Sequence, residues 1–361
     1  MSVFSKPQAK RADQARRMIF EWHERTAREG LRDPVRREHG AWFVHRYADA
    51  RRVLTDHDTF SSDELRYNPQ APHAANPVLR SLIATDPPRH AALRAVVAQQ
   101  FTKRVLDRTR ERIGHDAAQL ANELHEGADF IETFARPLPT RTICHLLGIE
   151  PDPRFARWTD AVTTFIGTRA THDTQRTFAE IADYFRTWRR TSDTPLARSD
   201  LTDQEVADFC TLLLTNGTET TTTLLASAVL VRDRFPGAPD DVEELLRLLP
   251  PAGGTDRFAT RDTTIGRHRI RRGDRVVAMV VSANRDPDVF ADPHVHRPGR
   301  NPNPHLGFGR GTHFCLGAHL TRAQVAVALA QLPRTWRPLD LKVDGTPVGP
   351  QIAALRVTSG S

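Results

Sequence analysis

Phe308-Gly-Arg-Gly-Thr-His-Phe-Cys-Leu-Gly317 is the stretch on which the reading of this chain turns. Gly309 and Gly311 permit tight turns with positive φ. Cys315 follows them and stands just ahead of a helix expected to start near Leu316 and to run past Leu332. Backbone N–H groups at such a helix start can point at an anionic sulfur. Gly317 leaves room for the helix to approach a flat ligand, and Phe308 is placed to shield the sulfur from water. A dry pocket rich in donors is what a haem thiolate needs, because those features set the potential of the iron.

Two other readings fit the same residues. A free Cys is commonly a small buried hydrophobe. It can also join His313, His319 and His305 in a zinc site, although His313-x-Cys315-x3-His319 is not a usual zinc spacing.

Outward from this loop, the chain has the length of one large domain or two ordinary ones, 361 residues. Its 39% hydrophobic and 26% charged residues suit a globular protein with a sizeable core. Three cysteines suit a reducing cytoplasm better than a disulfide framework. The first twenty residues are polar and basic, and no stretch is apolar enough for a signal peptide or a membrane span. Net charge is +7, but four of the 51 basic residues are Lys and the other 47 Arg, dispersed along the chain. That pattern argues for an acidic protein partner or an anionic cofactor rather than nucleic acid.

The pattern is mostly helical. Residues 11–30 read as a polar helix, Ala41–Tyr47 as a strand and Ala48–Thr55 as a helix, with a loop over 60–84. Asp86-Pro-Pro88 reads as a helix start. Residues 103–235 are helical with breaks near Gly127, Gly148–Pro153 and Ser192–Leu201, and a further helix covers Asp240–Leu249. Short strands are expected within 256–281, including Val276–Val281. Residues 284–311 are irregular, and a long ordered coil of this kind is usually functional.

The Cys loop, Phe-Gly-x-Gly-x-His-x-Cys-x-Gly, resembles the haem-loop signature of the bacterial cytochromes P450, with every defining position filled. The resemblance extends over about residues 30–360. It implies a mainly α fold with a minor β region, haem held between a distal oxygen-binding helix and the proximal Cys loop, and one domain over 1–361 with a polar extension at 1–28. It makes Cys315 the axial ligand of the haem iron, with Phe308, Gly309 and Gly317 around the cofactor.

Leu212–Leu225 is apolar at both ends but holds Gly217 and a run of Thr, poor helix formers, at its centre. A Thr-rich face can satisfy its hydroxyls on preceding carbonyls. Asn216-Gly-Thr-Glu-Thr220 also resembles the family's oxygen-binding segment. That implies Gly217 making room for dioxygen, Thr220 hydrogen-bonding the bound oxygen and Glu219 relaying protons. Asn216 departs from the usual Ala or Gly. We expect it to line the pocket, where an amide can bind substrate, hold a water or perturb proton delivery.

Positions i and i+3 share a helix face, so Glu244 and Arg247 can pair. In the family such a pair joins an Arg of the irregular segment, a place that Arg300 matches, in a structural triad. His296 and Arg297 stand where the family has Phe-Asp. His90 and Arg94 share a face at i and i+4. The resemblance implies that these two, with Arg257 and His313, meet the haem propionates.

The implied enzyme is a haem-thiolate monooxygenase that uses O2 to oxidise, by hydroxylation, a small organic substrate or peptide in secondary-metabolite biosynthesis. Haem b is its cofactor. Electrons come from NAD(P)H through a separate reductase and a ferredoxin or flavodoxin, steered by a basic proximal face with Lys103, Arg104 and Arg310 as candidates. The expected state is a cytoplasmic monomer. Alternatives are oxidative coupling of aromatic groups without oxygen insertion and, in a different class, a haem sensor or carrier. Specificity is expected in the 62–84 loop, the helices near 158–188, Leu212–Thr220, Pro251–Thr255 and the tail around Gln351–Ala354. The 188–201 connection reads as trimmed.

Overall fold

The computed structural model describes residues 6–164, 171–346 and 349–359. The N-terminal part runs α1 (Lys6–Arg32), β1 (Val35–Glu38), β2 (Ala41–Val44), α2 (Tyr47–Thr55), β3 (Phe60–Ser61) and α3 (Glu64–Tyr67). Irregular chain then leads to α4 (Arg89–Val97), α5 (Lys103–Glu123), α6 (Pro137–Leu147), α7 (Arg154–Thr164), α8 (His172–Thr191), α9 (Asp203–Arg234) and α10 (Val242–Leu248). The last part holds β4 (Thr255–Ala259), β5 (Thr263–Ile265), β6 (His268–Ile270), β7 (Arg275–Ala278), α11 (Val280–Ala283), α12 (Ala318–Gln331), β8 (Trp336–Thr346) and β9 (Gly349–Ser359).

The centre is α9, apolar nearly all round and therefore buried. It starts at a capping box in which Thr202 accepts from the Glu205 N–H and the Glu205 carboxylate accepts from the Thr202 N–H. Its threonines do not break it, because Thr211, Thr215, Thr220 and Thr222 each return a hydroxyl to the carbonyl four residues back. Leu224 and Leu225 are fully buried and contribute about 2 kcal/mol each. Helices α6, α8 and α12 pack around it, and α5 lies against α12.

The small sheet has the order β1-β2-β7-β4-β3, with β2 and β7 parallel and the other pairs antiparallel. It carries the 255–258 segment to the edge of the site. The expected strand Val276–Val281 ends at Ala278, and Val280–Ala283 turn into α11, whose Val281 N–H donates to Gly253 O. Asp86 does not cap α4 with its side chain. Its carboxylate instead accepts from the Ser61 hydroxyl and, at 2.8 Å, from the Ser62 N–H, fastening the start of the 62–84 loop. The sequence reading missed the β8–β9 hairpin, which packs on α1 and α9.

A candidate haem-binding active site

The Cys loop is shaped by close backbone approaches. Gly309 and Gly311 both adopt positive φ, +68° and +73°. At Gly311 a Cβ would lie 2.9 Å from Leu54 O, so any side chain would strike the end of α2. The Cys315 N–H donates to Phe308 O at 2.9 Å, closing the loop just before α12. Phe308 is buried, with the Arg322 guanidinium 4.5 Å from its ring centre. Burial pushes the Cys315 thiol up; the Gly317 N–H, Arg94 and Arg322 pull the other way. A metal ion reverses that balance, since it deprotonates a coordinating thiol outright. At Gly317 a Cβ would meet nothing closer than the Cys315 sulfur, at 3.9 Å, so open space adjoins the thiol.

That space consists of two cavities, about 410 Å³ and about 270 Å³. They share Ile83, Asn216, Thr220, His313, Cys315 and Thr321 in their walls. The 62–84 loop, Val162 and Thr163 of α7, and Pro251 to Phe258 complete the larger one. Neither α8 nor the Gln351–Ala354 tail contributes: the tail is paired into the β8–β9 hairpin. Between Val206 and Val231 the only exposed residues are Asn216 and Thr220, one turn apart and both facing these cavities.

Opposite them gathers a set of bases. His90 is 1% exposed and neither ring nitrogen has a partner. Its ring lies 4.2 Å from that of His313, whose Nε2 meets the Ser62 hydroxyl at 3.0 Å. Arg94 donates to Phe314 O at 2.9 Å. Arg257 is 6% exposed and has a single bond, to Asp256 O. Burial brings the Arg257 guanidinium down to about 10, and burial with the charges of Arg257, His90 and Arg94 holds His313 at about 3. Buried cations need partners. Four bases bordering the cavities beside Cys315, His90 among them with both ring nitrogens unpartnered, therefore fit an anionic ligand.

Two distal residues sit otherwise than expected. Glu219 lines neither cavity. One helical position is 100° of rotation, so Glu219 cannot share the face of Thr220. It stands instead near Arg136, Asp160 and Glu132; burial raises its carboxyl and Arg136 opposes the rise. Gly217 borders the smaller cavity, but a Cβ there would lie 2.8 Å from Ile143 Cδ1. The missing side chain thus accommodates α6, and space for a small gas molecule is not its only use.

Behind the loop, Arg247 donates twice to Glu244 at 2.8 Å, and Arg300 Nε reaches the same carboxylate at 3.2 and 3.3 Å. Arg297 contributes its backbone N–H to Glu244, and His296 stacks on Phe235. These are the contacts made at the two positions that depart from Phe-Asp. His305 bonds Glu243, which also takes two bonds from Arg322, while His319 is exposed. Among the described residues no three metal-ligating side chains converge, so the zinc cluster does not form. Of the proximal cations, Lys103 pairs with Asp107, Arg104 is exposed, and Arg310 is exposed but also borders the larger cavity. Ser62 and Ile83 lie in the 62–84 loop expected to set specificity, whereas Thr321 was missed as a wall residue. Nothing local in the sequence marks Thr321, because it reaches the site by long-range packing.

Comparison with known proteins agrees with this geometry. The family model described as Cytochrome P450 matches residues 239–345. A putative cytochrome P450 of Bacillus subtilis is 33% identical, over 87% of this chain and 86% of its own. The chain belongs to the cytochrome P450 family. The mycinamicin IV hydroxylase/epoxidase of Micromonospora griseorubida is 35% identical over 81% of each chain. The crystal structure of a thermophilic cytochrome P450 from Sulfolobus tokodaii superposes with a TM-score of 0.79 at 31% identity, covering 94% of this chain and 99% of that one. As a P450 this chain is a monooxygenase that binds haem, uses dioxygen and receives its electrons from redox partners. Among the described residues no helix is long and apolar enough to cross a membrane.

Proposed function

We propose that Cys315 binds the iron of haem b, that His90, Arg94, Arg257 and His313 pair with its propionates, and that Thr220 and Asn216 face the oxygen-binding side. The observation that carries this is a convergence: the thiol, four bases and the two exposed residues in the middle of α9 all border these two cavities. The haem, once bound, supplies dioxygen activation, with the thiolate favouring O–O cleavage. Thr220 already donates its hydroxyl proton to Asn216 O at 2.6 Å, so it presents a lone pair to the cavity and can accept a hydrogen bond from water or oxygen-bound protons. Glu219, set back beside Arg136, can supply protons only through an intervening group.

The reaction is oxygen insertion, hydroxylation or epoxidation, into a small organic substrate of secondary metabolism. The support is a relative named as a hydroxylase/epoxidase acting on mycinamicin IV. Coupling without oxygen insertion is not favoured on the same ground, and a passive haem carrier has no use for the exposed α9 pair. Electrons reach the enzyme from NAD(P)H through a reductase and a ferredoxin or flavodoxin, which dock where Lys103 and Arg104 are exposed on α5, packed against α12. Glu244, Arg247 and Arg300 serve architecture. We take the chain as one domain, acting as a monomer in the cytoplasm.

The test is the absorption spectrum of the reduced, carbon monoxide-bound protein. The unmodified chain should show the red-shifted band of thiolate ligation, and Cys315→His should replace it by a band of His ligation. Cys144→Ser and Cys210→Ser should leave it in place, because both thiols are buried and burial raises them, Cys144 to about 12. A red-shifted band that survives Cys315→His would refute the assignment.

A further inference from the structure

Asn216 occupies a position that costs helix stability and gains no structural contact that Ala would lack, apart from one hydrogen bond. That bond is informative. The Thr215 hydroxyl, on a residue that is 0% exposed, shares its one proton between Thr211 O at 2.9 Å and Asn216 Oδ1 at 3.1 Å. One end of the amide is therefore fastened to the helix. The other end, Nδ2, has no protein partner among the described residues, and the side chain is exposed only because it faces the two cavities.

The neighbouring polar groups sharpen the point. Thr220, one turn on, has committed its proton to Asn216 O and offers only lone pairs. His313 is held by Ser62. Of the six residues shared by both cavities, Asn216 alone carries an amide, with two N–H donors. The larger cavity is walled in part by apolar residues, Ile83, Ala84, Leu224, Leu246 and Val162, alongside polar ones such as Asn76, Thr163 and Thr255. A ligand that fills this space drives out water, and an amide donor left unmatched is then penalised.

We propose that Asn216 is a specificity-determining residue: its Nδ2 donates to an oxygen acceptor on a largely apolar substrate, a carbonyl, ether or hydroxyl oxygen near the carbon that is oxidised. This rests on the assignment of the cavities to haem and substrate. The position of the amide beside Thr220 makes it the anchor that orients the substrate's reacting end, and it discriminates against pure hydrocarbons of the same shape.

The experiment uses the haem-loaded enzyme and three matched probes, cyclododecanone, cyclododecanol and cyclododecane, titrated by the spin-state change in the haem spectrum. Asn216→Leu keeps the volume and removes the donor; the ratio of ketone to hydrocarbon affinity should fall by roughly five- to ten-fold, the worth of one neutral hydrogen bond. Asn216→Asp replaces the donor by an acceptor and should favour the alcohol over the ketone. A ratio unchanged in Asn216→Leu, or no binding of the ketone by the unmodified enzyme, overturns the proposal. So does an unchanged ratio with increased hydrogen peroxide release, which would make Asn216 a water holder. Each variant is also checked for the thiolate-type carbon monoxide band. Loss of that band in the unmodified chain sinks the haem assignment itself; an intact band with an unchanged ratio sinks only the role of Asn216.

Discussion

Two groups of buried charge flank the Cys loop, and they are built on opposite principles. Behind it, all five N–H donors of Arg247 are used, on Glu244 and on the carbonyls of Asn284, Pro293 and Val295. Burial pushes Glu244 up, but Arg247, the Arg297 N–H and Arg300 more than offset it and hold the carboxylate ionised. In front of the loop, Arg257 has one backbone bond and His90 has none. The two acids nearest Arg257 are already committed, Asp256 to Arg275 and Asp86 to Ser61 and Ser62. A saturated cluster specifies architecture; an unsaturated one of a single sign specifies a ligand. The same distinction separates Thr222, bonded within the protein, from Asn216, whose amide has a free end.

The largest effect should come from breaking the saturated side. Arg247→Leu leaves Glu244 ionised and buried with Arg300 as its one remaining charged partner, beside the Arg297 N–H and Asn303 Nδ2, which should cost about 3–5 kcal/mol. The readout is the urea midpoint of the purified protein, or the loss of folded protein altogether. A midpoint within 1 kcal/mol of the unmodified chain would show that the cluster is not what holds the 284–300 segment.

The unsaturated side should answer differently. Arg257→Leu removes a guanidinium whose burial is already unfavourable, so the helical circular dichroism of the chain should persist. Haem should be lost more readily, by about 1.5–3 kcal/mol or roughly ten- to a hundred-fold, the worth of a charge-assisted bond. Transfer of haem to a competing apo-globin measures it. Equal loss of fold and haem would erase the contrast between the two clusters.

Much of this was legible in the sequence because it is local. The i,i+3 pair Glu244 and Arg247 and the glycines of the Cys loop each state their geometry within a few residues. What escaped depends on distant partners. The β8–β9 hairpin is broken in pattern by bulges at Pro338/Asp340 and Lys342/Val343, so no clean alternation marks it. Val280 and Val281 look like strand, but the chain turns there to reach Gly253. Asp86 reads as a cap and is instead claimed by Ser61 and Ser62, twenty-five and twenty-four residues upstream. The resemblance gave Glu219 a proton relay beside Thr220, whereas helical rotation sends it toward Arg136.

The smallest effect concerns a buried base that needs neither solution, because it is neutral. His45 is 0% exposed, with Nδ1 on the Ser282 hydroxyl at 2.9 Å, and Gly30 lies so close that a Cβ there would strike the ring. Burial first, and the charge of Arg36 second, hold the ring at about 3, well below the ordinary 6.5. The unfolded chain therefore binds a proton below 6.5 that the folded chain refuses. Stability from this site is complete above that pH and declines as pH falls toward about 3. At pH 5.5 the loss is about 1.4 kcal/mol. His45→Asn, which retains a polar atom for Ser282, should flatten the decline in urea stability between pH 7.5 and 5.5 by that amount. His23 and His313, both also held at about 3, should each leave a remaining decline of similar size. If His45→Asn leaves the slope as it was, the ring accepts its proton in place, and the pocket behind β2 is as ready for a charge as the one in front of Cys315.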